Sequence, residues 1–146
     1  MAAQRRNIAV LGGSGELGAP TIKTLLDRGI HHITAIQRRE ATSSFRAEVT
    51  VRQGNLEDEA VLQAALSGHD ALVLMPPLTH IELQKPAIRA AARARVPYIF
   101  PSEFGPDPFA DQLIAENQLL WSKKEMHDFV EAQPGVSRWI SVAVGP

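Results

Sequence analysis

A cluster of glycines near the start of the chain constrains the fold more than any other sequence feature. Four glycines fall within residues 12–18, directly after the apolar run NIAVL at residues 7–11. The short apolar run predicts a strand. Residues 16–28 carry leucine and isoleucine at helical spacing, and Gly29 suits the position after a helix end. A tight glycine turn between a strand and a helix is typical of α/β proteins.

The rest of the chain continues this alternation of short apolar runs and longer helical patterns. The predicted strands are residues 7–11, 33–37, 48–52, 71–75, 98–100 and 138–144. The predicted helices are residues 16–28, 56–67, 79–95 and 112–132, the third opened by a capping box from Thr79 to Glu82, and Pro86 is expected to kink it or to mark a restart. Residues 101–111 are rich in proline and predict a loop. Because strands alternate with helices, we predict an α/β fold: a doubly wound, Rossmann-like parallel sheet of about six strands with helices on both faces.

Composition excludes several classes of function. The 146 residues suit a single domain, and 45% are hydrophobic, which is enough for a sizeable core. A net charge of −1 gives no basic field, so we expect neither a nucleic-acid nor a membrane partner. The chain has no cysteine, no metal-ligand spacing among its five histidines, and no apolar stretch long enough to span a membrane. We therefore expect a cytoplasmic protein without a metal site, and the oligomeric state stays open.

The glycine loop predicts a phosphate-binding turn. Gly12, Gly15 and Gly18 form the pattern G-x-x-G-x-x-G, which lets backbone N–H groups and a helix N-terminus approach a pyrophosphate. A P-loop is excluded because Ala19 and Pro20 stand where Lys and Ser/Thr are required, and a nucleophile elbow is excluded because the second glycine of that motif is missing. The alternative is that the glycines only turn the chain and pack the helix against the sheet.

Two arginines indicate which dinucleotide would bind. A site for NAD usually has an acidic residue at the end of the second strand, but this chain has Gln37 followed by Arg38 and Arg39. Guanidinium groups suit a 2′-phosphate, so NADP(H) is favoured. A solvated Arg-Arg-Glu turn on the surface is the alternative. We assign the following residues to the cofactor site: Gly12, Ser14, Gly15, Glu16, Leu17, Gly18, Arg38, Arg39, Asn55, Met75, Pro76, Pro77, Ser102, Glu103 and Phe104.

Candidates for acid–base chemistry are few. The lone Tyr98 is followed by Ser102 four residues later, so the Tyr-x-x-x-Lys pair of ordinary short-chain dehydrogenases is absent. Lys123 and Lys124 lie on the last long helix, and spacing alone favours two solvated lysines. We expect Glu103 to order its loop rather than to transfer protons. The histidines are expected to be surface or capping residues.

Several segments together resemble the isoflavone reductase-like, NmrA-like group of atypical short-chain dehydrogenases, and its fungal branch in particular. They are VLGGSGELG, QRRE, QGNLEDEAVLQAALSGHDALVLM, LQKPAIRAAARARVPYIFPSEFGPD and WISVAVGP. The resemblance implies NADPH on the glycine loop, its 2′-phosphate near Arg38 and Arg39, and residues 75–77 along the cofactor. It also implies a catalytic lysine at Lys123, with Lys124 the neighbouring choice, and hydride transfer to aromatic, phenylpropanoid-type substrates. Asn55 departs from the usual Asp of the family.

The resemblance also implies a division of the family's fold. Residues 1–146 correspond to the NAD(P)-binding domain, and the family's C-terminal substrate region is expected to be absent from this chain. Three interpretations stay open. The chain is an NADPH-dependent reductase that needs a further part, a non-catalytic NADP(H)-binding redox sensor or regulatory module, or a fragment that retains only cofactor affinity.

Overall fold

The computed structural model describes residues 4–105, 107, 110–133 and 137–144. The strands in these ranges are β1 (Asn7–Leu11), β2 (His32–Arg38), β3 (Thr50–Gly54), β4 (Ala71–Leu74), β5 (Tyr98–Phe100) and β6 (Arg138–Trp139). The α-helices are α1 (Gly18–Asp27), α2 (Glu59–Leu66), α3 (Gln84–Arg93), α4 (Asp111–Glu116) and α5 (Gln118–Glu131), and a 3₁₀ turn spans Leu78–Leu83. None of these helices is long and apolar enough to cross a membrane.

The described strands form one parallel sheet in the order β3-β2-β1-β4-β5-β6. This is the strand order of the Rossmann fold, so the predicted fold class is confirmed. The chain leaves β1 for β2 on one side and later returns to place β4 on the other side. The order therefore reverses between β1 and β4, which is where ligands of such folds bind.

Alternating residues of β1 build two cores, one on each face of the sheet. Ala9 and Leu11 join a buried cluster formed with α2, α3 and α5. Ile8 and Val10 join a second cluster, to which α1 contributes Ile22. Because successive side chains of a strand point to opposite faces, a central parallel strand must be apolar throughout, as NIAVL is after its first residue. Helices cover both faces, as predicted.

The connection from β2 to β3 has no helix in residues 39–49. Apart from Phe45, Val49 and two alanines this segment is polar, and it offers no apolar face of helical period. Instead, Phe45 packs against the second cluster, on the face of the sheet covered by α1, close to Gly13 and Ile22. A single aromatic side chain thus fills part of the place that a crossover helix usually occupies.

The predicted capping box at Thr79 does not form. Residues 78–83 make a 3₁₀ turn in which His80 has non-helical angles (φ −131°, ψ 28°), and the Thr79 hydroxyl contacts His80 Nδ1 at 2.9 Å. The α-helix begins only at Gln84. Pro86 is its third residue, where an absent N–H costs no intrahelical hydrogen bond. Pro86 therefore marks a restart, one of the two outcomes expected for it.

The single helix predicted over residues 112–132 is wrong. Asn117 is extended (φ −133°, ψ 106°) and divides the segment into α4 and α5. Asparagine side chains compete with the helix for backbone hydrogen bonds, which favours a break at this position. Lys123 consequently lies in the second turn of a separate helix rather than in the middle of a long one.

Other predicted boundaries shift by a few residues. β3 begins two residues later than predicted, and the predicted alternation is not kept, because Val51 is exposed. The helix α2 begins at Glu59 behind its cap Asp58. β6 is only two residues long, and beyond it a single parallel bridge joins Gly105 to Ala143. Gly29, predicted to follow the end of α1, has φ +63° and donates its N–H to Leu26.

Candidate functional site

A cleft lies at the carboxyl ends of β1, β2 and β4, where the strand order reverses. It measures about 310 Å³ and is lined by the glycine loop, the end of β2 and the turn after β4. The assigned residues that line it are Gly12, Ser14, Gly15, Arg38, Pro76 and Pro77. An adjoining depression of about 450 Å³ shares Arg38 with the cleft and adds Arg39 and Asn55. Eight of the assigned residues are therefore brought to one edge of the sheet.

The glycine loop is packed too tightly for other side chains. Gly12 has φ +85°, and a Cβ built on it would lie 2.1 Å from the carbonyl oxygen of Met75. A Cβ on Gly18 would lie 2.1 Å from the carbonyl oxygen of Gly12. Gly12 thus allows β1 and the turn after β4 to approach, and Gly18 brings α1 against the loop. Part of the glycine pattern serves packing, which is the alternative considered from the sequence.

Gly15 has a different environment. A Cβ on Gly15 would meet only the Gly12 carbonyl oxygen, at 3.4 Å, and Gly15 lines the cleft. Just beyond it, none of the described side chains caps the N-terminus of α1. The first N–H groups of a helix have no intrahelical partner and carry a partial positive charge, so they attract anions. The loop therefore combines a backbone surface open to the cleft with a helix end that has no side-chain cap, which suits a pyrophosphate.

Arg38 and Arg39 are both exposed at the end of β2. Their charges are not paired in the ion pairs of the described residues, although Glu40 follows them and lines the same cleft. Asn55 is also exposed, and its side-chain oxygen accepts a hydrogen bond from the N–H of Glu57 at 3.0 Å. The rim of the cleft thus offers guanidinium groups to an anionic ligand.

The other assigned residues lie outside the cleft. Glu16 and Leu17 are exposed at the start of α1, and Met75 is buried behind Gly12. Phe104 packs against the same cluster as Met75, and Ser102 lies in the loop after β5, where its N–H donates to the Gln84 side chain at 2.7 Å. The lining of the two depressions does not include these residues, nor Gly18, Glu103 or Lys123.

Lys123 and Lys124 differ sharply in environment. The Lys123 Nζ donates a hydrogen bond to the Glu103 carbonyl oxygen at 2.6 Å, and burial lowers the pKa of Lys123, opposed by the negative charge of Glu103. Lys124 instead pairs with Asp128 one turn away at 2.8 Å, and that hydrogen bond raises the pKa of Lys124. Of the two candidates, Lys123 is the one whose surroundings favour a neutral amine and hence proton exchange.

The expectation that every histidine is a surface or capping residue is wrong for His127. Its ring is 2% exposed and lies 2.8 Å from the Glu103 carboxylate, edge-on to Trp139. His69 is also partly buried and contacts the Thr34 hydroxyl at 2.9 Å. Spacing could not reveal His127, because its partner lies in a different element 24 residues earlier in the chain.

Sequence analysis also missed part of the cleft lining. The missed residues are Leu11, Gly13, Ile36, Gln37, Glu40, Ala41, Thr42, Ser43, Phe45, Leu56, His80 and Leu83. Residues 40–45 follow the end of β2 directly, and none of them is among the residues assigned to the cofactor site from the sequence. Their position after a carboxyl strand end was the available signal.

Comparison with known proteins places this architecture in a family. The family model described as NmrA-like family matches residues 4–143. The chain belongs to the NmrA-like family. The NmrA-like chain is 28% identical to "Oxidoreductase aprR" of Aspergillus flavus over 95% of its own length, and 34% identical to "Isoflavone reductase homolog IRL" of Zea mays over 73%.

A solved structure shares the fold of this NmrA-like chain. AtPrR2 with NADP+ and (+)pinoresinol superposes with a TM-score of 0.78 and 22% sequence identity, covering 98% of this chain and 51% of that chain. The alignments cover 48% of the Aspergillus protein and 38% of the maize protein. The NmrA-like chain therefore spans about half the length, or less, of these three proteins.

Proposed function

We propose that this chain is the NADP(H)-binding domain of an isoflavone reductase-like oxidoreductase. The observation that carries the proposal is the cleft where the strand order reverses, because it joins a close-packed glycine loop to two exposed arginines. A relative named as an isoflavone reductase homolog and a similar structure that contains NADP+ support the same choice.

Each part of the cofactor has a matching group in the cleft. The loop from Gly12 to Gly15 and the uncapped start of α1 would hold the pyrophosphate through backbone N–H groups. Arg38 and Arg39 would bind the 2′-phosphate through charge-assisted hydrogen bonds, and Asn55 would lie on the adenine side. Pro76 and Pro77 would border the nicotinamide side, next to the loop after β5.

The chemistry we assign to the domain is reduction of an aromatic, phenylpropanoid-type substrate. When bound, NADPH supplies the hydride. The substrate also takes up a proton, and we assign Lys123 as its donor, since burial lowers the pKa of this side chain toward the range in which it exchanges protons. Glu103 and Phe104 shape the loop between Lys123 and the apolar cluster behind Met75.

Isothermal calorimetry with the purified chain tests the cofactor. We expect NADPH to bind more tightly than NADH, and the pair Arg38→Ala and Arg39→Ala to weaken NADPH by about 10-fold or more while sparing NADH. Arg28→Ala plus Arg95→Ala, which remove two exposed arginines outside the cleft lining, serve as the matched control. Equal affinity for both dinucleotides, or no binding of either, would contradict the proposal.

A redox-sensing module without turnover is the second candidate. The position of Lys123 favours it, because its amine is engaged by the Glu103 carbonyl and lies outside the cleft lining. The two candidates separate when NADPH oxidation is followed with a panel of aromatic enones for the native chain and for Lys123→Ala. Turnover that Lys123→Ala abolishes supports the reductase. Discrimination between NADPH and NADP+ without any turnover supports the sensor.

A further inference from the structure

The loop of residues 101–105 is anchored from several separate elements. The fully buried Gln84 of α3 accepts a hydrogen bond from the Ser102 N–H at 2.7 Å. At the other end of the loop, the Gly105 carbonyl oxygen accepts from the N–H of Val144 at 2.9 Å. Between these two anchors lies Glu103, which is 4% exposed. Burying a carboxylate costs free energy unless hydrogen bonds compensate for the lost water, so Glu103 requires partners in the folded chain.

Both oxygens of the Glu103 carboxylate have partners from other elements. His127 of α5 lies 2.8 Å from one oxygen, and the Ser141 hydroxyl donates to the other. The ring of His127 also packs against Trp139 of β6, and its second nitrogen lies 3.7 Å from the exposed carboxylate of Glu131. The Glu103 side chain is therefore clamped between α5 and the segment that follows β6.

The backbone of the same residue binds Lys123. The Nζ of Lys123 donates to the Glu103 carbonyl oxygen at 2.6 Å, and a Cβ on Gly105 would lie 2.9 Å from this Nζ. Lys123 and His127 are four residues apart on α5, so they project from the same face of the helix. One turn of α5 thus contacts Glu103 at two points: His127 contacts its carboxylate, and Lys123 binds its backbone carbonyl.

We propose that Glu103 is a positioning residue for Lys123: the carboxylate, held by His127 and Ser141, fixes the backbone carbonyl that anchors the lysine amine. The inference rests on the proposed function in taking Lys123 as the proton donor. To that function it adds the contacts that hold the Lys123 amine in a fixed and partly buried position. Ser141, in the segment after β6, affects Lys123 indirectly, because its hydroxyl binds the Glu103 carboxylate.

Competitive acetylation followed by mass spectrometry tests this on the ligand-free chain. Trace acetic anhydride is applied across a range of pH, and the titration midpoint of each of the four lysines is obtained, with Lys23 as the internal exposed reference. The variants are Ser141→Ala and Ser141→Thr. The matched control is Ser137→Ala, which removes a serine hydroxyl that donates to the Val96 carbonyl at 2.6 Å rather than to Glu103.

Ser141→Ala releases one carboxylate oxygen, so we expect Lys123 to become more hydrated and its midpoint to rise toward the ordinary lysine value of 10.5. Ser141→Thr keeps the hydroxyl and should restore the native midpoint, and Ser137→Ala should leave it unchanged. Glu103→Gln keeps the shape of the side chain but removes its charge, so it should move the midpoint in the opposite direction, downward. Circular dichroism establishes that each variant is folded.

An unchanged Lys123 midpoint in Ser141→Ala would overturn the proposal, because a shift in Glu103→Gln alone reports only the charge of the carboxylate. An equal rise in Ser137→Ala would also overturn it, because the effect would then belong to general loosening. If Ser141→Ala does not fold, Ser141→Cys, which keeps the size of the side chain and weakens its hydrogen bond to Glu103, takes its place with the same expected rise. The acetylation experiment contains no dinucleotide or substrate. Its outcome is therefore independent of whether NADPH binds in calorimetry, and the two proposals can fail separately.

Discussion

Gly12 has the tightest geometric constraint in the glycine loop. Its φ of +85° is unfavourable for any residue with a side chain, and the carbonyl oxygen of Met75 occupies the place of a Cβ. Both conditions arise because β1 and β4 are neighbours whose ends must approach closely. The sequence pattern alone predicts a turn here, whereas the contact with Met75 depends on the sheet order.

We expect Gly12→Ala to lower the free energy of unfolding by about 2 kcal/mol or more, since it combines backbone strain with a clash against another strand end. Gly29→Ala is the control, because Gly29 also has positive φ but has no atom near its missing Cβ. That change should cost about 1 kcal/mol. Urea denaturation measures both, and equal losses would show that the contact with Met75 adds nothing.

The buried amine of Lys123 should make the free energy of unfolding depend on pH. Burial lowers its pKa in the folded chain, so over a window below the ordinary lysine value of 10.5 the unfolded chain binds more protons. The stability of the native chain must therefore rise with pH across that window, relative to a variant without this amine. The cost of the buried ammonium is present at neutral pH and disappears as the amine loses its proton.

The variant Lys123→Met makes this measurable. We expect the free energy of unfolding of Lys123→Met minus that of the native chain to decrease as pH rises from neutral toward 10.5. Lys124→Met, at the neighbouring lysine whose pKa is raised by its hydrogen bond to Asp128, should show no such decrease. A difference for Lys123→Met that is constant with pH would mean that the lysine is fully hydrated in the folded chain.

At the scale of elements, local sequence determines where one helix starts but not where another does. The Asp58 carboxylate accepts hydrogen bonds from the N–H groups of Ala60 at 2.9 Å and Val61 at 3.2 Å, a regular cap for α2. Thr79 has an equally good capping sequence, yet its hydroxyl turns to His80. The turn after β4 must first bring Ile81 into the core, and that requirement overrides the local signal.

A pair of substitutions tests this contrast. Asp58→Ala should lower the free energy of unfolding by about 1 kcal/mol, because two helix N–H groups lose their acceptor. Thr79→Ala should change it much less, since no helix N–H depends on that hydroxyl. Thermal or urea denaturation of both variants is sufficient. A loss for Thr79→Ala as large as that for Asp58→Ala would indicate that the predicted capping box forms in solution.

The division of α4 from α5 has a consequence for the site. Because the helical segment breaks at Asn117, α5 does not continue the axis of α4, and Met126 and Val130 direct it into the core with α3. That packing turns Lys123 and His127 toward Glu103. Apolar spacing predicted a helix in this region, but its start and its orientation follow from contacts with elements far away in sequence.

At the scale of the whole molecule, the sheet order brings together segments that are distant in the chain. The glycine loop, the end of β2 and the turn after β4 meet at one cleft only because β1 lies between β2 and β4. A ligand in that cleft should therefore protect all three segments at once.

Hydrogen exchange with and without NADPH checks this. We expect slower exchange in residues 12–18, in residues 38–45 and around Pro76, with no change in α4, which contributes nothing to the cleft. Protection of the glycine loop without residues 38–45 would indicate that the arginine end of the cleft is not used. Uniform slowing, including α4, would indicate global stabilisation rather than a defined site.

The sequence by itself was sufficient for the α/β class, the approximate positions of the strands, the glycine turn and the family resemblance. These follow from short-range patterns: apolar period, glycine where a turn needs positive φ, and arginine after a strand end. The break at Asn117, the role of Phe45 and the environment of Lys123 were decided only by tertiary structure. Burial and hydrogen-bond partners depend on which distant segments meet: Glu103, His127 and Ser141 form one cluster because β5, α5 and the segment after β6 converge.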